Sequence, residues 1–233
     1  MKKLIKKLNK YFHEDKRVFA KGLCGRKIFF VFLIGMLLGC LYEDLLTMAI
    51  RYYRDGSMYF ITKRGLLYGE LSPIYGWGAC LMIYLLLRKP RKKYEYFCYG
   101  ALLGGAVEYG ISLLQEMFTH TTSWDYSTYF LNINGRTTIP YMFVWGFLAL
   151  ILVTKIYPFL SKLIESIPYN LGELIYKVLL VIISIDMIIS FSACIRMGLR
   201  HNGVEPLTPI GKILYTVYND ERMRKSYTNM VSK

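Results

Sequence analysis

Glu43 and Glu108 each close a nine-residue stretch, Gly35 to Glu43 (GMLLGCLYE) and Gly100 to Glu108 (GALLGGAVE), 65 residues apart. In both, two glycines and the glutamate fall at i, i+4 and i+8, which on a helix makes one stripe. Small residues let a second helix come close, and the carboxylate then faces that neighbour. Arg64, Pro73, Trp77 and Gly78 follow the first stretch, and Arg136, Pro140, Trp145 and Gly146 follow the second. The pattern reads as a diverged duplication of a helix pair.

Carboxylates and guanidinium groups placed together support three kinds of chemistry. They can form bidentate structural clamps. They can line a site for a polar solute, as charges inside membranes commonly do. They can also act on a lipid or lipid-linked phosphate, with the arginines holding the phosphate and Glu43, Glu108 or Asp125 as acid or base. Trp124, Asp125 and Tyr126 can close such a site, Trp124 by offering a cation-binding face and Asp125 by competing for Arg64 or Arg136. The candidate substrate-binding residues are Glu43, Arg64, Glu108, Trp124, Asp125 and Arg136. No catalytic residue, cofactor or metal ligand is assigned. The three histidines lack metal-ligand spacing, and neither GxSxG, CxxC nor a GxxxxGK[ST] phosphate loop occurs. Any ATP-driven work therefore needs a partner.

The elements that must hold these residues are membrane helices. With 54% hydrophobic and 20% charged residues in 233, the composition is that of a membrane protein. Apolar blocks run Ile28 to Ile50, Gly65 to Leu87, Tyr96 to Phe118, Thr138 to Leu160 and Leu174 to Ile195, each of 22 or 23 residues. At about 1.5 Å per residue each spans a hydrocarbon core of about 30 Å. The expected fold is all-α integral membrane with about five transmembrane helices, helices 1-2 and 3-4 forming the parallel repeat. A basic N-terminal segment (1–27) precedes the polytopic domain (28–195), and a basic polar tail (196–233) follows. Glu43 lies 15 residues into its block and Glu108 lies 12 into its own. That is about 22 and about 18 Å of helix from the cytoplasmic ends, in the outer half of the bilayer.

The net charge of +14 is uneven: ten Lys and Arg precede the first block and five more lie from Arg88 to Lys93, whereas the segment between blocks three and four carries only Arg136. By the positive-inside rule the N-terminus is expected to be cytoplasmic. Five crossings put the tail outside despite its seven Lys and Arg. The lipid bilayer is the main partner, a separate ATPase subunit and self-association are left open, and no nucleic-acid module is present.

The first block reads as a retained anchor, with LLGC at Leu37 to Cys40 a disfavoured lipoprotein site because the leader would be long. Five cysteines without CxxC read as packing thiols. Residues 2 to 12 fit either an interfacial amphipathic helix or a solvated basic tail. Gly69, Pro73, Gly76 and Gly78 should kink or unwind helix two, and freed carbonyls must then face protein or water. His120 to Arg136 is expected to cap the outer side. Pro158 to Pro168 has one apolar face and is expected as an interfacial cytoplasmic turn, the one segment able to dock an ATPase. Glu70 and Asp186 add acids without an assigned role.

At these residues the sequence resembles the putative ABC-transporter type IV permease family, small polytopic bacterial membrane proteins. The matching motifs are Tyr42-Glu43, RGLLYGELSPIYGWG (64 to 78), EYGISLLQEMF (108 to 118), WDYS (124 to 127) and NINGR (132 to 136). The resemblance covers about residues 35 to 150 and implies a transport permease that docks an ATPase. The chain departs from the family pattern at Glu70, where proline is usual, at Ser123, where a second Trp is usual, and at Thr137 and Thr138, where Cys-Leu is usual. The leading reading is a transport permease or membrane-transport component with a polar Glu/Arg site. The alternatives are a lipid-directed enzyme and a non-transporting scaffold or regulator.

Overall fold

The computed structural model describes residues 17–58, 64–228 and 231–232. The stretch 2–12 lies outside the described residues. Eight helices among the described residues carry the fold: α1 (Gly25–Asp55), α2 (Pro73–Leu86), α3 (Lys93–Thr119), α4 (Ile139–Ile151), α5 (Tyr157–Glu165), α6 (Tyr169–His201), α7 (Pro209–Val217) and α8 (Asp220–Ser226). Four two-residue strands accompany them, β1 (Thr121–Thr122), β2 (Asn132–Ile133), β3 (Thr137–Thr138) and β4 (Val231–Ser232). A π turn, Leu152–Ile156, joins α4 to α5 without a break. Among the described residues, four helical stretches are long and apolar enough to cross a membrane: Gly25–Asp55, Lys93–Thr119, Ile139–Glu165 and Tyr169–His201. The all-α membrane class follows.

The second apolar block behaves differently from the expected 23-residue helix. Only Pro73–Leu86 is helical, 14 residues or about 21 Å. Pro73, at the first turn, has no N–H to lose there and starts the helix. Residues 65–70 form a chain of bends ahead of it, with Gly69 at φ +90°. This segment sits deep beside α1: Ser72 N donates to the Met36 carbonyl (3.1 Å). Its amides are satisfied by α6, where Ser190 Oγ accepts from Leu67 N (2.9 Å) and Asp186 Oδ1 from Tyr68 N (3.4 Å). Non-helical backbone is tolerated at membrane depth when protein groups replace water in this way. Asp186 thereby acquires a role that the sequence left open.

The expected interfacial turn at Pro158 to Pro168 is instead the last turns of the long helix. Residues 157–165 continue α4 through the π turn, and the chain reverses only at Ser166 to Pro168. Ile164 is buried with Phe19, Ala20 and Phe30, which ties the N-terminal segment to this end. Lys27 is fully buried there, its Nζ donating to Ser161 Oγ (2.6 Å), Ser161 O (3.1 Å) and Glu165 Oε1 (2.7 Å). All three ammonium donors are used, which makes burial of the charge tolerable.

The other end carries the 120–138 segment and the C-terminal tail together. β1 pairs antiparallel with β4, Thr121 opposite Ser232. Arg200, near the end of α6, donates to Asp220 Oδ1 (2.6 and 2.9 Å), Tyr215 O (3.1 Å) and Tyr218 O (3.0 Å), binding α7 and α8 to α6. Arg196 donates to the Val204 carbonyl. The tail's first two arginines are thus engaged by contacts within the protein. All five cysteines are free thiols.

Candidate functional site

The glycine stripes work as close-contact surfaces. A Cβ added at Gly39 would strike the Tyr75 ring, and one at Gly104 would strike the Trp145 ring. The surrounding contacts share one register. Gly35 approaches Ala79 and Gly100 approaches Ala149; Gly76 lies against the Phe32 ring and Gly146 against the Phe97 ring. Positions on α1 match α3 at an offset of 65 residues, and positions on α2 match α4 at 70. The partner of Trp145-Gly146 is therefore Tyr75-Gly76, not the Trp77-Gly78 suggested by the residue types.

The same register places the two carboxylates. Tyr75 Oη donates to Glu43 Oε1 at 2.9 Å, and Trp145, at the matching position on α4, lines the same cavity as Glu108. Glu108 is buried and accepts two bonds, from Thr137 Oγ1 at 2.6 Å and Tyr126 Oη at 3.1 Å. Burial and the neighbouring Glu108 carboxylate push the Tyr126 phenol far above its ordinary range, so it stays a donor.

Between the two helix pairs lies a cavity of about 590 Å³. Glu43, Arg64, Glu108, Trp124 and Asp125 line it, so five of the six residues expected from the sequence meet in one place. The sixth, Arg136, does not line it. Its guanidinium bonds Glu116 (2.7 Å) and Ser112 (3.3 Å) on α3. Arg64 pairs with Glu70 at 4.0 Å rather than with Glu43. At Glu108 the expected Glu-Arg clamp is replaced by the hydroxyl donors of Thr137 and Tyr126, which satisfy a carboxylate without burying a second charge.

Arg136 has a structural task that explains three motifs at once. Tyr109, Ser112 and Glu116 fall at spacings of three and four on α3, and Arg136 meets all of them, its Cζ 5.9 Å from the Tyr109 ring centroid. Tyr126 N donates to Gly135 O (2.8 Å), and Trp124 Nε1 donates to Arg136 O (2.8 Å), closing WDYS onto NINGR. Asn134 and Gly135 make the turn with φ of 53° and 67°. Asp125 Oδ1 accepts from Ser127 N (2.9 Å), shaping the same cap.

The sequence reading missed Tyr75 and Thr137 as carboxylate partners and Glu116 as the arginine partner. Glu116 had a visible signal, since 108, 112 and 116 continue one helical stripe. Tyr227 and Thr228 of the tail also line the cavity, with no local pattern announcing them. No curated protein and no solved structure matches the chain significantly. The cavity lies at the N-terminus of the short helix α2, under the cap that the WDYS and NINGR motifs form. The family described as putative ABC-transporter type IV matches residues 30–191, more than half of the chain, and the protein belongs to that family.

Proposed function

We propose that the chain is the membrane-embedded component of a transport system and that the cavity between its two helix pairs receives the solute. The observation that carries this reading is the pair of carboxylates, Glu43 and Glu108, in matching register at one cavity that rings from α2 and α4 also line. Binding sites in transporters commonly lie where repeated units meet, beside helices interrupted at membrane depth. We infer that the two pairs descend from one duplicated pair. The N-terminus is cytoplasmic, and the capped end with the tail faces outward. Glu43, Glu108, Arg64, Trp124 and Asp125 line the solute site, while Arg136 positions its cap.

This chain carries no nucleotide-binding phosphate loop, so energy must come from a separate ATPase subunit. Affinity purification from native membranes tests the reading. The expected result is a co-purifying ATPase whose hydrolysis rate rises in the complex. Repeated recovery of the intact protein without any ATPase, and without effect on one supplied from the same membranes, would overturn it.

A further inference from the structure

The lining of the cavity narrows the chemical class of its occupant, an inference that rests on the cavity being the solute site. About 590 Å³ suits a small organic molecule and is far larger than a coordination shell with oxygens about 2.3–2.6 Å from a metal ion. Tyr42, Tyr75, Tyr126, Tyr129 and Tyr141 line it along with Trp124 and Trp145. Tyr126 stacks on Tyr141 with centroids 5.0 Å apart, and Tyr42 meets Tyr75 edge-on at 6.2 Å. Such faces carry negative quadrupole potential and attract cations within about 6 Å.

Formal charge agrees with the rings. Glu43, Glu108 and Asp125 line the cavity, and among the described residues Arg64, 4.0 Å from Glu70, is the cation on its wall. The N-termini of α2 and α4 add about half a positive charge each, offsetting about one carboxylate. Three of the wall's donors are committed to protein acceptors: Tyr75 to Glu43, Tyr126 to Glu108 and the Trp124 indole to Arg136 O. The wall is thus richer in carboxylate and aromatic face than in positive charge.

We propose that the cavity binds a monovalent organic cation, its ammonium group between Glu43 and the tyrosine rings and its hydrocarbon body toward Leu46, Val144 and Leu148. Glu43 is the primary contact because it is only half-buried, whereas Glu108 is buried and accepts from Thr137 and Tyr126.

Two of the three tryptophans, Trp124 and Trp145, line the cavity and can report on it. In a Trp77→Phe background, detergent-solubilised protein is titrated with tetraethylammonium and, separately, with propanesulfonate. Tetraethylammonium is expected to change the emission saturably, and Glu43→Gln, which keeps an acceptor for Tyr75, to weaken binding about tenfold or more. Tyr141→Leu leaves both carboxylates in place and should weaken binding as well, so the test survives if Glu43→Gln fails to fold. Propanesulfonate should give no saturable change. Preferential response to the sulfonate would overturn the cationic class while leaving the cavity as the solute site. No response to either ion, or a tetraethylammonium response unchanged in both variants, would also overturn it. The transport reading itself fails only with the ATPase.

Discussion

Tyr75 and Trp145 lie ring against ring, centroids 5.5 Å apart and planes inclined by 36°. Tyr75 bonds Glu43 and Trp145 packs on the Gly104 stripe that ends at Glu108, so one chain of side chains crosses the bundle between the two helix pairs.

Breaking one link of this chain should be felt at the other. Tyr75→Phe removes the donor to Glu43 but keeps the ring, and a cost of about 1–3 kcal/mol is expected for the carboxylate left short of a partner. Trp145→Phe should cost more, since the indole fills the cluster of Met82, Leu86, Ala149 and Val153. A double-mutant cycle read as melting temperature in detergent should be non-additive by at least about 0.5 kcal/mol. Strict additivity would mean that the two rings merely sit side by side.

Glycines on and off the stripe should separate cleanly. Gly39→Leu and Gly104→Leu drive a side chain into the Tyr75 and Trp145 rings and should sharply lower the yield of folded protein. Gly110 is in α3 with nothing within 4 Å of an added Cβ. Gly110→Ala should be neutral or stabilising by up to about 1 kcal/mol through helix propensity. Equal melting temperatures for all three variants would refute the packing register.

Arg136 should couple to Glu116 and not to Glu108. Arg136→Met and Glu116→Gln each break a charge pair with little solvent access, and the double variant should recover about 1–3 kcal/mol relative to the sum of the singles. The same cycle with Glu108→Gln should give a clearly smaller coupling. A larger coupling to Glu108 would restore the clamp expected from the sequence.

The junction of α6 with the tail should weaken in acid. Burial acts to raise the Asp220 carboxyl, but Arg200 and His201 outweigh it and hold the group below the usual carboxylate range. A depressed folded value contributes stability that is present above the unfolded value, near about 3.9, and is lost as pH falls through the folded one. Asp220→Asn should therefore lower the melting temperature near neutral pH. The difference from the parent should shrink steadily below about pH 4, and a difference independent of pH would exclude the ion pair as its cause.

Sidedness can be read with three reporters. One fused after Lys92 should be cytoplasmic, and one near Thr128 and one at the C-terminus should both be external. Because β1 pairs with β4, the last two must agree whatever the orientation of the chain.

Helices and their glycine stripes were legible in the sequence because helical contacts repeat every three or four residues and leave a local pattern. The stripe ending at Glu108 even continued through Ser112 to Glu116, where Arg136 binds. Partners from distant segments left no such trace. Leu67 meets Ser190 across 123 residues, and Tyr227 reaches the cavity from the tail. Nor could hydropathy locate the start of α2: Leu66 and Leu67 are as buried and apolar as helix residues, yet Pro73, Gly65 and Gly69 govern the backbone there. The Glu-Arg clamps failed for another reason. Charge complementarity names the cheapest pairs on paper, whereas a buried carboxylate is equally well served by neutral donors such as Thr137 and Tyr126.

A π turn is an α-helix with one residue too many, and Leu152–Ile156 therefore acts as a phase shifter in the long helix 139–165. One surplus residue displaces everything beyond it by about 100° around the axis relative to an unbroken α-helix. Trp145 and Ala149 can thus face the stripe of α3 while Ile164 and Glu165, about four to five turns later, face Phe19, Phe30 and Lys27. One rod serves two orientations. Its cavity end and its Lys27 end are thus set against different partners by the irregular turn between them.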